Sequence, residues 1–554
     1  MSASATPAND LKTQKYDRQL RLWAATGQSA LENANVCLLN ATSTGCEILK
    51  NLILPGIGGV TVADGGVVDP KDISTNFFLE SNSIGLPKAE AVIELLKELN
   101  DDVSASFVTK APSELINNEP EFFDPFCMIV ATDLHEEDSI KLSELCQRTN
   151  KVLINVRCKG LCGLFRVQSP EHTVIESHPE NVVDLRLLSP FRQLNEYVDT
   201  FDLDSLDQTD HAHVPFVVVI LKYLSAWKAE HGGEGPTSYS DRNQLKVQIR
   251  AGMRTVEEEN FEEAMANVWR LASSSNNIPS EVQKIFEDEA CQNITAESPD
   301  FWVIASAVKA FVANEGEGQL PLSGKLPDMK SDTSNYVRLQ KVQVLFLFQK
   351  QDINPTRRYR EKAQEDLFAV TAHVSAILES MGAPPDAVPA ETIQSFCKNA
   401  AHVKVFKYRN MKDEYITSPR TEQIVSWIEN DANMSFYITY RAADRFFAKK
   451  QRWPGSEAGD SAEDVELLQQ EILAILQSVG ISEEKAQELL KCDLMDKAST
   501  NYVRFANRET TNLAALIGGL VSQEAIKLIT HQYIPINNTC VFNGIASTSS
   551  VFEL

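Results

Sequence analysis

Between an apolar run, Val36–Leu39, and an amphipathic stretch with Ile48, Leu49, Leu52 and Ile53 lies the turn Asn40-Ala41-Thr42-Ser43-Thr44-Gly45-Cys46. A strand–turn–helix is where a mononucleotide fold places its phosphate loop, because backbone N–H groups at the helix start can reach phosphates when no Cβ intervenes. Against the pattern G-x-G-x-x-G, the first two glycines are replaced by Asn40 and Thr42, and only Gly45 survives. Asp64 ends the next apolar run, Val60–Ala63, at the place where an acid would bind a ribose hydroxyl. It equally suits a strand-ending turn. The loop, with Thr42 and Ser43 in it, therefore reads as a nucleotide cradle that has lost its fit.

Three other groups have the chemistry for a site. His211 and His213 form an H-x-H pair, a spacing that can ligate zinc on a strand, but no further His or Cys follows at ligand spacing. Pro215 comes just after, so a helix start packed on the core is the better reading and no metal site is expected. Among ten cysteines, Cys158 lies between Arg157 and Lys159, where cationic neighbours would favour a thiolate nucleophile. No CxxC pair exists, and the cysteines are too sparse for a disulfide framework. Arg18 lies in Tyr16-Asp-Arg-Gln-Leu20, on an amphipathic segment with Leu22. Its guanidinium stays charged and donates several bonds, which suits a phosphate as well as it suits water.

The elements that must position these groups alternate over the first 170 residues. Val36–Leu39, Val60–Ala63, Cys127–Ala131 and Val152–Val156 are short apolar runs fit for buried parallel strands. Helical spacing follows after Ser43, over Lys88–Leu99 and over Ser139–Arg148, with Pro55-Gly56 stopping the first. From His172 to Leu494 the pattern is mainly helical, broken at 231–240, 273–279, 315–327 and 453–460. Gly382 and Gly480 are placed to end two of these helices. Leu513–Ile529 is a long apolar helix whose Gly518-Gly519 pair permits close packing, and strand-like runs flank Asn537-Asn538 and Asn543-Gly544. A doubly wound α/β sheet, with a helical block inserted and the tail returning to complete it, is the simplest architecture.

Composition excludes other classes. Hydrophobic residues at 43% and charged residues at 23% match a globular chain of three or four structural units, not a disordered one. A formal charge of −25 repels phosphate polymers and anionic lipid, so proteins and small ligands are the expected partners, with no nucleic acid and no membrane. The first residues lack the apolar core of a signal peptide, and no run of about 18 apolar residues is present. A reducing, cytoplasmic compartment is expected.

A series of motifs makes the reading specific. Tyr16-Asp-Arg-Gln-Leu-Arg-Leu-Trp23, the degenerate loop, Leu54-Pro-Gly-Ile-Gly58, Asn76-Phe-Phe-Leu79, Ile84-Gly-Leu-Pro-Lys-Ala89 and Ile517-Gly-Gly-Leu-Val-Ser-Gln-Glu-Ala-Ile-Lys527 occur in order. Glu176-Ser-His-Pro179, Asp210-His-Ala-His213, Tyr359-Arg-Glu-Lys-Ala363 and Arg441-Ala-Ala-Asp-Arg-Phe446 extend the series through the middle. Over nearly its whole length the chain resembles the activating enzymes of ubiquitin-like modifiers. Within them it is most similar to the regulatory, amyloid-precursor-binding-protein-type subunits of the neddylation-activating heterodimer.

The resemblance implies a Rossmann-like, ThiF/MoeB-like adenylation domain over 1–170 and 495–554, with a helical domain inserted over 171–494. It implies an inactive half: Gly66 stands where the family's second aspartate would fall, and Ser74–Phe78 lacks the Arg-Gln pair, although Lys88 persists. Nucleotide-binding residues would survive here only as remnants (Asn40, Thr42, Ser43, Gly45, Asp64 and Lys88), with ATP and Mg held by the catalytic partner subunit. Arg18 is expected to reach that partner's ATP phosphates. The thioester cysteine is expected on the partner, which leaves the helical middle as a nucleophile-free counterpart of a catalytic-cysteine domain. Tyr336, Leu339, Val342 and Tyr359 are expected to contact the partner. The expected function is that of a regulatory subunit in activation of a Nedd-type modifier, in the cytoplasm and also the nucleus. A nicotinamide-dependent oxidoreductase on the same fold and a non-catalytic adaptor are the alternatives. Gln343–Arg358 departs from the family pattern: it opens with Val344-Leu-Phe-Leu-Phe348, an aggregation liability, and reads as a lineage-specific insertion or a translated intron.

Overall fold

The apolar runs become strands β1 (Asn35–Leu39), β2 (Gly59–Ala63), β3 (Ser104–Val108), β4 (Met128–Thr132) and β5 (Val152–Lys159). Three more, β6 (Cys162–Gln168), β7 (Thr539–Asn543) and β8 (Thr548–Phe552), complete one eight-stranded sheet of order β8-β7-β6-β5-β4-β1-β2-β3. The five strands from β3 to β5 are parallel, with Val36 beside Val60 on one side and Met128 on the other. The remaining three are antiparallel additions. Parallel strands bury both faces, which is why β1 and β4 are apolar without alternation. The computed structural model describes residues 13–179, 183–272, 278–327, 329–331, 358–456 and 461–554.

One compact unit takes in the chain up to His172 and again from Val405 to Leu554; Thr173–Lys404 forms a second. The return to the sheet therefore begins about ninety residues before the expected boundary at 495. The reason is a shared core: Ile424, Ile428, Tyr440, Leu468, Ile472 and Leu476, on helices after residue 420, pack with Leu164 of β6, Val541 of β7 and Phe552 of β8. Ion pairs fasten this returning stretch of chain to the rest of the unit. Arg166 of β6 meets Glu414 at 2.6 Å, Arg441 meets Glu136 at 3.1 Å, and Arg157 of β5 pairs with Asp444. The Arg441–Phe446 motif is thus a packing device, since each buried charge needs its partner.

On the other face of the sheet the helix Thr511–Thr530 lies on the helix Ser43–Ile53. Thr511–Thr530 is long and apolar enough, by length and composition, to cross a membrane, which corrects the expectation that no stretch qualifies. Here it is a core helix, with Leu513, Ile517, Val521, Ala525 and Leu528 buried among Leu38, Leu49 and Val167.

The second unit is helical. Phe216–Glu230, Tyr239–Ala251 and Glu259–Asn267 surround a core that includes Tyr359 at the start of Arg358–Ser380. Gly382 ends that helix with φ of 72°, as Gly480 (φ 88°) ends Ser461–Ser478 in the first unit.

Candidate functional site

The parallel strand order reverses between β1 and β4, and ligands of open α/β sheets bind in the crevice at the carboxyl ends of such a pair. Four residues of the degenerate loop line it. Asn40 takes φ of 64°, a left-handed conformation that a glycine would adopt freely, and its Nδ2 donates to the Thr132 carbonyl at 2.7 Å. Thr42 caps the helix Ser43–Ile53 by accepting from the Gly45 amide at 3.1 Å, and its hydroxyl donates to Thr132 Oγ1 at 3.0 Å. Ser43 Oγ donates to the Thr75 carbonyl at 2.7 Å. Gly45 survives for packing: a Cβ there would lie 2.9 Å from Leu38 Cδ1. Asn40, Thr42 and Ser43 thus each bond to the protein itself.

The helix start is itself occupied. Glu509 Oε2 accepts from the Ser43 amide at 2.8 Å, while Oε1 accepts from the Thr44 amide at 3.4 Å and the Thr44 hydroxyl at 2.6 Å. Burial raises the Glu509 carboxyl above the ordinary glutamate range, against the pull of Lys159 and of these donors. Lys159 is itself paired with Asp133. No spacing argument pointed to Glu509, which lies 466 residues from Ser43 in sequence.

Asp64 is spent on its own turn. One oxygen accepts from the Ala41 amide at 2.8 Å and the other from the Gly66 amide at 2.7 Å, so the strand-ending reading describes its geometry. Lys88 pairs with Asp72 at 3.0 Å. The Ser43, Thr44 and Gly45 amides, Asp64 and Lys88 are thus all engaged within the chain, and the Glu509 carboxyl stands at the start of the helix.

Other candidates resolve similarly. Burial, and then the Glu509 charge, push the Cys158 thiol well above its ordinary range, which is the opposite of nucleophile activation. His211 Nδ1 lies 2.7 Å from Glu258 Oε1 in the second unit's core, while His213 Nδ1 faces the Thr209 carbonyl at 2.6 Å. Their Nδ1 atoms serve separate structural bonds, and no group of three or more potential metal-binding side chains occurs among the described residues.

Arg18 lies on the exposed first arm of the helix Asp17–Glu32, which breaks at Trp23-Ala24, where Ala24 takes φ of 57°. Two residues earlier Tyr16 is buried, donating to Asp102 Oδ2 at 3.3 Å and accepting from Asn100 Nδ2 at 3.1 Å. The segment is pinned by Tyr16 and presents Arg18 to solvent. Tyr359 corrects an expectation. It is fully buried, its hydroxyl donates to the Leu185 carbonyl at 2.7 Å, and it meets Phe191 edge-on, so it is a core residue and not a partner contact. Tyr336, Leu339, Val342 and nearly all of Gln343–Arg358 lie outside the described residues.

A doubly wound sheet with its crevice at the β1–β4 reversal is the frame of adenylation-type domains, and here Glu509 is bonded across the start of its helix. The chain belongs to the ThiF family, whose model matches residues 16–554. It is 41% identical to the NEDD8-activating enzyme E1 regulatory subunit of Xenopus laevis over 553 residues, 98% of this chain and 99% of that relative. The corresponding proteins of Gallus gallus and Danio rerio are each 40% identical, and each match covers 98% of this chain and 98% or 99% of the relative.

Proposed function

We propose that this chain is the regulatory subunit of a heterodimeric enzyme that activates a NEDD8-type modifier for conjugation to other proteins. The observation that carries the reading is full-length similarity to such subunits combined with a mononucleotide crevice filled by its own side chains. In this reading the catalytic partner subunit binds ATP and Mg, adenylates the modifier's C-terminal carboxylate and takes the acyl group on its cysteine as a thioester. Adenylation gives a poor carboxylate electrophile a good leaving group. This chain supplies the dimer surface and Arg18, whose guanidinium meets the partner's ATP phosphates in trans. The rival oxidoreductase reading has little support, because a dinucleotide would meet the same Glu509 carboxylate and the same Asn40 and Thr42 side chains.

ATP–pyrophosphate exchange tests the proposal. With modifier present, exchange is expected only when the catalytic partner is added, and calorimetry should detect no tight ATP binding by this chain alone. Exchange by the isolated chain would overturn the assignment, as would its absence from the reconstituted pair.

A further inference from the structure

A lost glycine removes a fit, but the crevice goes further and supplies its own anion. The Glu509 carboxylate uses both oxygens and three donors at the start of an eleven-residue helix. Amides and dipole there favour negative charge, so the carboxylate sits where a phosphate would. Its delivery is specific. The helix Asp493–Phe505 ends in two consecutive left-handed residues, Ala506 (φ 48°) and Asn507 (φ 62°), which turn the chain into the crevice. Non-glycine residues adopt this conformation at a cost, so surrounding contacts must impose it.

Those contacts lie on both sides of Glu509. The Gly160 amide donates to the Arg508 carbonyl at 2.7 Å, and the Thr510 hydroxyl donates back to the Gly160 carbonyl at 2.7 Å. Thr511 Oγ1 donates to the Thr75 carbonyl at 3.2 Å, the same carbonyl that holds Ser43 Oγ. Gly160 itself has φ of 59°, and a Cβ there would come 2.3 Å from Phe505 Cδ2. The strap 505–511 thus sits against β5 with no room for a side chain beneath it.

We propose that Glu509 is a built-in phosphate surrogate that excludes nucleotide from this half of the enzyme and so confines adenylation to the partner's site. The inference rests on the functional reading above and deepens it: the inactive crevice is closed by an internal charge, not merely worn down. A phosphate approaching Ser43 and Thr44 would find its donors taken and a like charge in their place.

Inorganic pyrophosphate is the probe, titrated calorimetrically into the full chain, with hydrogen exchange read over residues 40–47. Wild type should bind none at concentrations up to about 10 mM. Glu509→Ala should bind it with a Kd of roughly 1 mM, and the added pyrophosphate should slow exchange at Ser43 and Thr44. Glu509→Gln keeps the shape and one acceptor oxygen but loses the charge. It should show an intermediate gain, and it decides the matter if Glu509→Ala does not fold. No gain over wild type in a folded Glu509 variant overturns the proposal. The measurement needs neither partner nor modifier, so its failure leaves the functional reading standing. Absence of exchange in the wild-type pair would sink that reading and leave this result intact.

Discussion

Arg18 owes its availability to Tyr16. The buried phenol is bonded to Asn100 and Asp102, Lys15 reaches the same Asp102 at 2.7 Å, and the helix arm that follows holds Arg18 outward. Arg21, one turn on, is tied to Asp17 at 2.9 Å and exposed on the same arm. The two arginines therefore make a controlled comparison: Arg21 is paired within its helix, and the Arg18 side chain makes no hydrogen bond or ion pair among the described residues. If Arg18 stabilises phosphate charge as the modifier's carboxylate attacks, its loss should cost roughly 2–4 kcal/mol in the transition state, the scale of single-donor deletions. Arg18→Ala should then leave heterodimer assembly intact and slow adenylate formation by about 30- to 1000-fold. Arg18→Lys should recover part of this, because an ammonium keeps the charge and loses the planar fork. Arg21→Ala should have little effect on the rate. A single-turnover rate for Arg18→Ala within about twofold of wild type, with the dimer confirmed by sizing, would leave Arg18 a surface residue.

At the scale of elements, the contact between the helices Thr511–Thr530 and Ser43–Ile53 turns on one of two adjacent glycines. A Cβ on Gly518 would lie 2.6 Å from Glu47 Cβ, whereas one on Gly519 would meet nothing within 4 Å. Gly518→Ala should destabilise the first unit by about 1–3 kcal/mol, because the two helices must part. Gly519→Ala should stabilise it by roughly 0.5–1 kcal/mol through helix propensity alone. Chemical denaturation of the two variants checks the pair, and equal shifts would mean that the close approach is not at Gly518. The sequence shows the glycine pair but not which member packs, since that depends on helix rotation. The same limit governs the sheet. β1, β2, β4 and β5 are legible as continuous apolar runs, but β3 reads Ser-Ala-Ser-Phe-Val at an exposed edge and gives no such signal. β6 is buried throughout yet carries Arg166 and Gln168, whose burial makes sense only beside Glu414 and Ser143. The site divides likewise: the lost glycines are local and legible, whereas the Glu509 contact joins residues from opposite ends of the chain.

For the molecule as a whole, the second unit raises a question that only its own core can frame. Tyr359 stands at the first turn of Arg358–Ser380, buried with Leu194, Phe216 and Leu224, and its hydroxyl is bonded to the Leu185 carbonyl. That anchor fixes the helix start independently of whatever chain precedes it. Gln343–Arg358, which lies before the anchor, opens with five consecutive apolar residues in a chain whose formal charge is −25. Such a run carries β-aggregation propensity, whereas a large net charge opposes association. Removing all sixteen residues, 343–358, should therefore leave Tyr359 seated and the thermal transition within about 4 °C of wild type, the shift that roughly 1 kcal/mol produces in a unit of this size. Solubility should hold or improve, and heterodimer formation with the catalytic partner should persist in sizing experiments. Loss of association with an unchanged thermal transition would instead make the stretch a working part of the interface. Peptide mass spectrometry of the native protein, searching for the segment around Val344–Phe348, would show directly whether the chain made in the cell contains it.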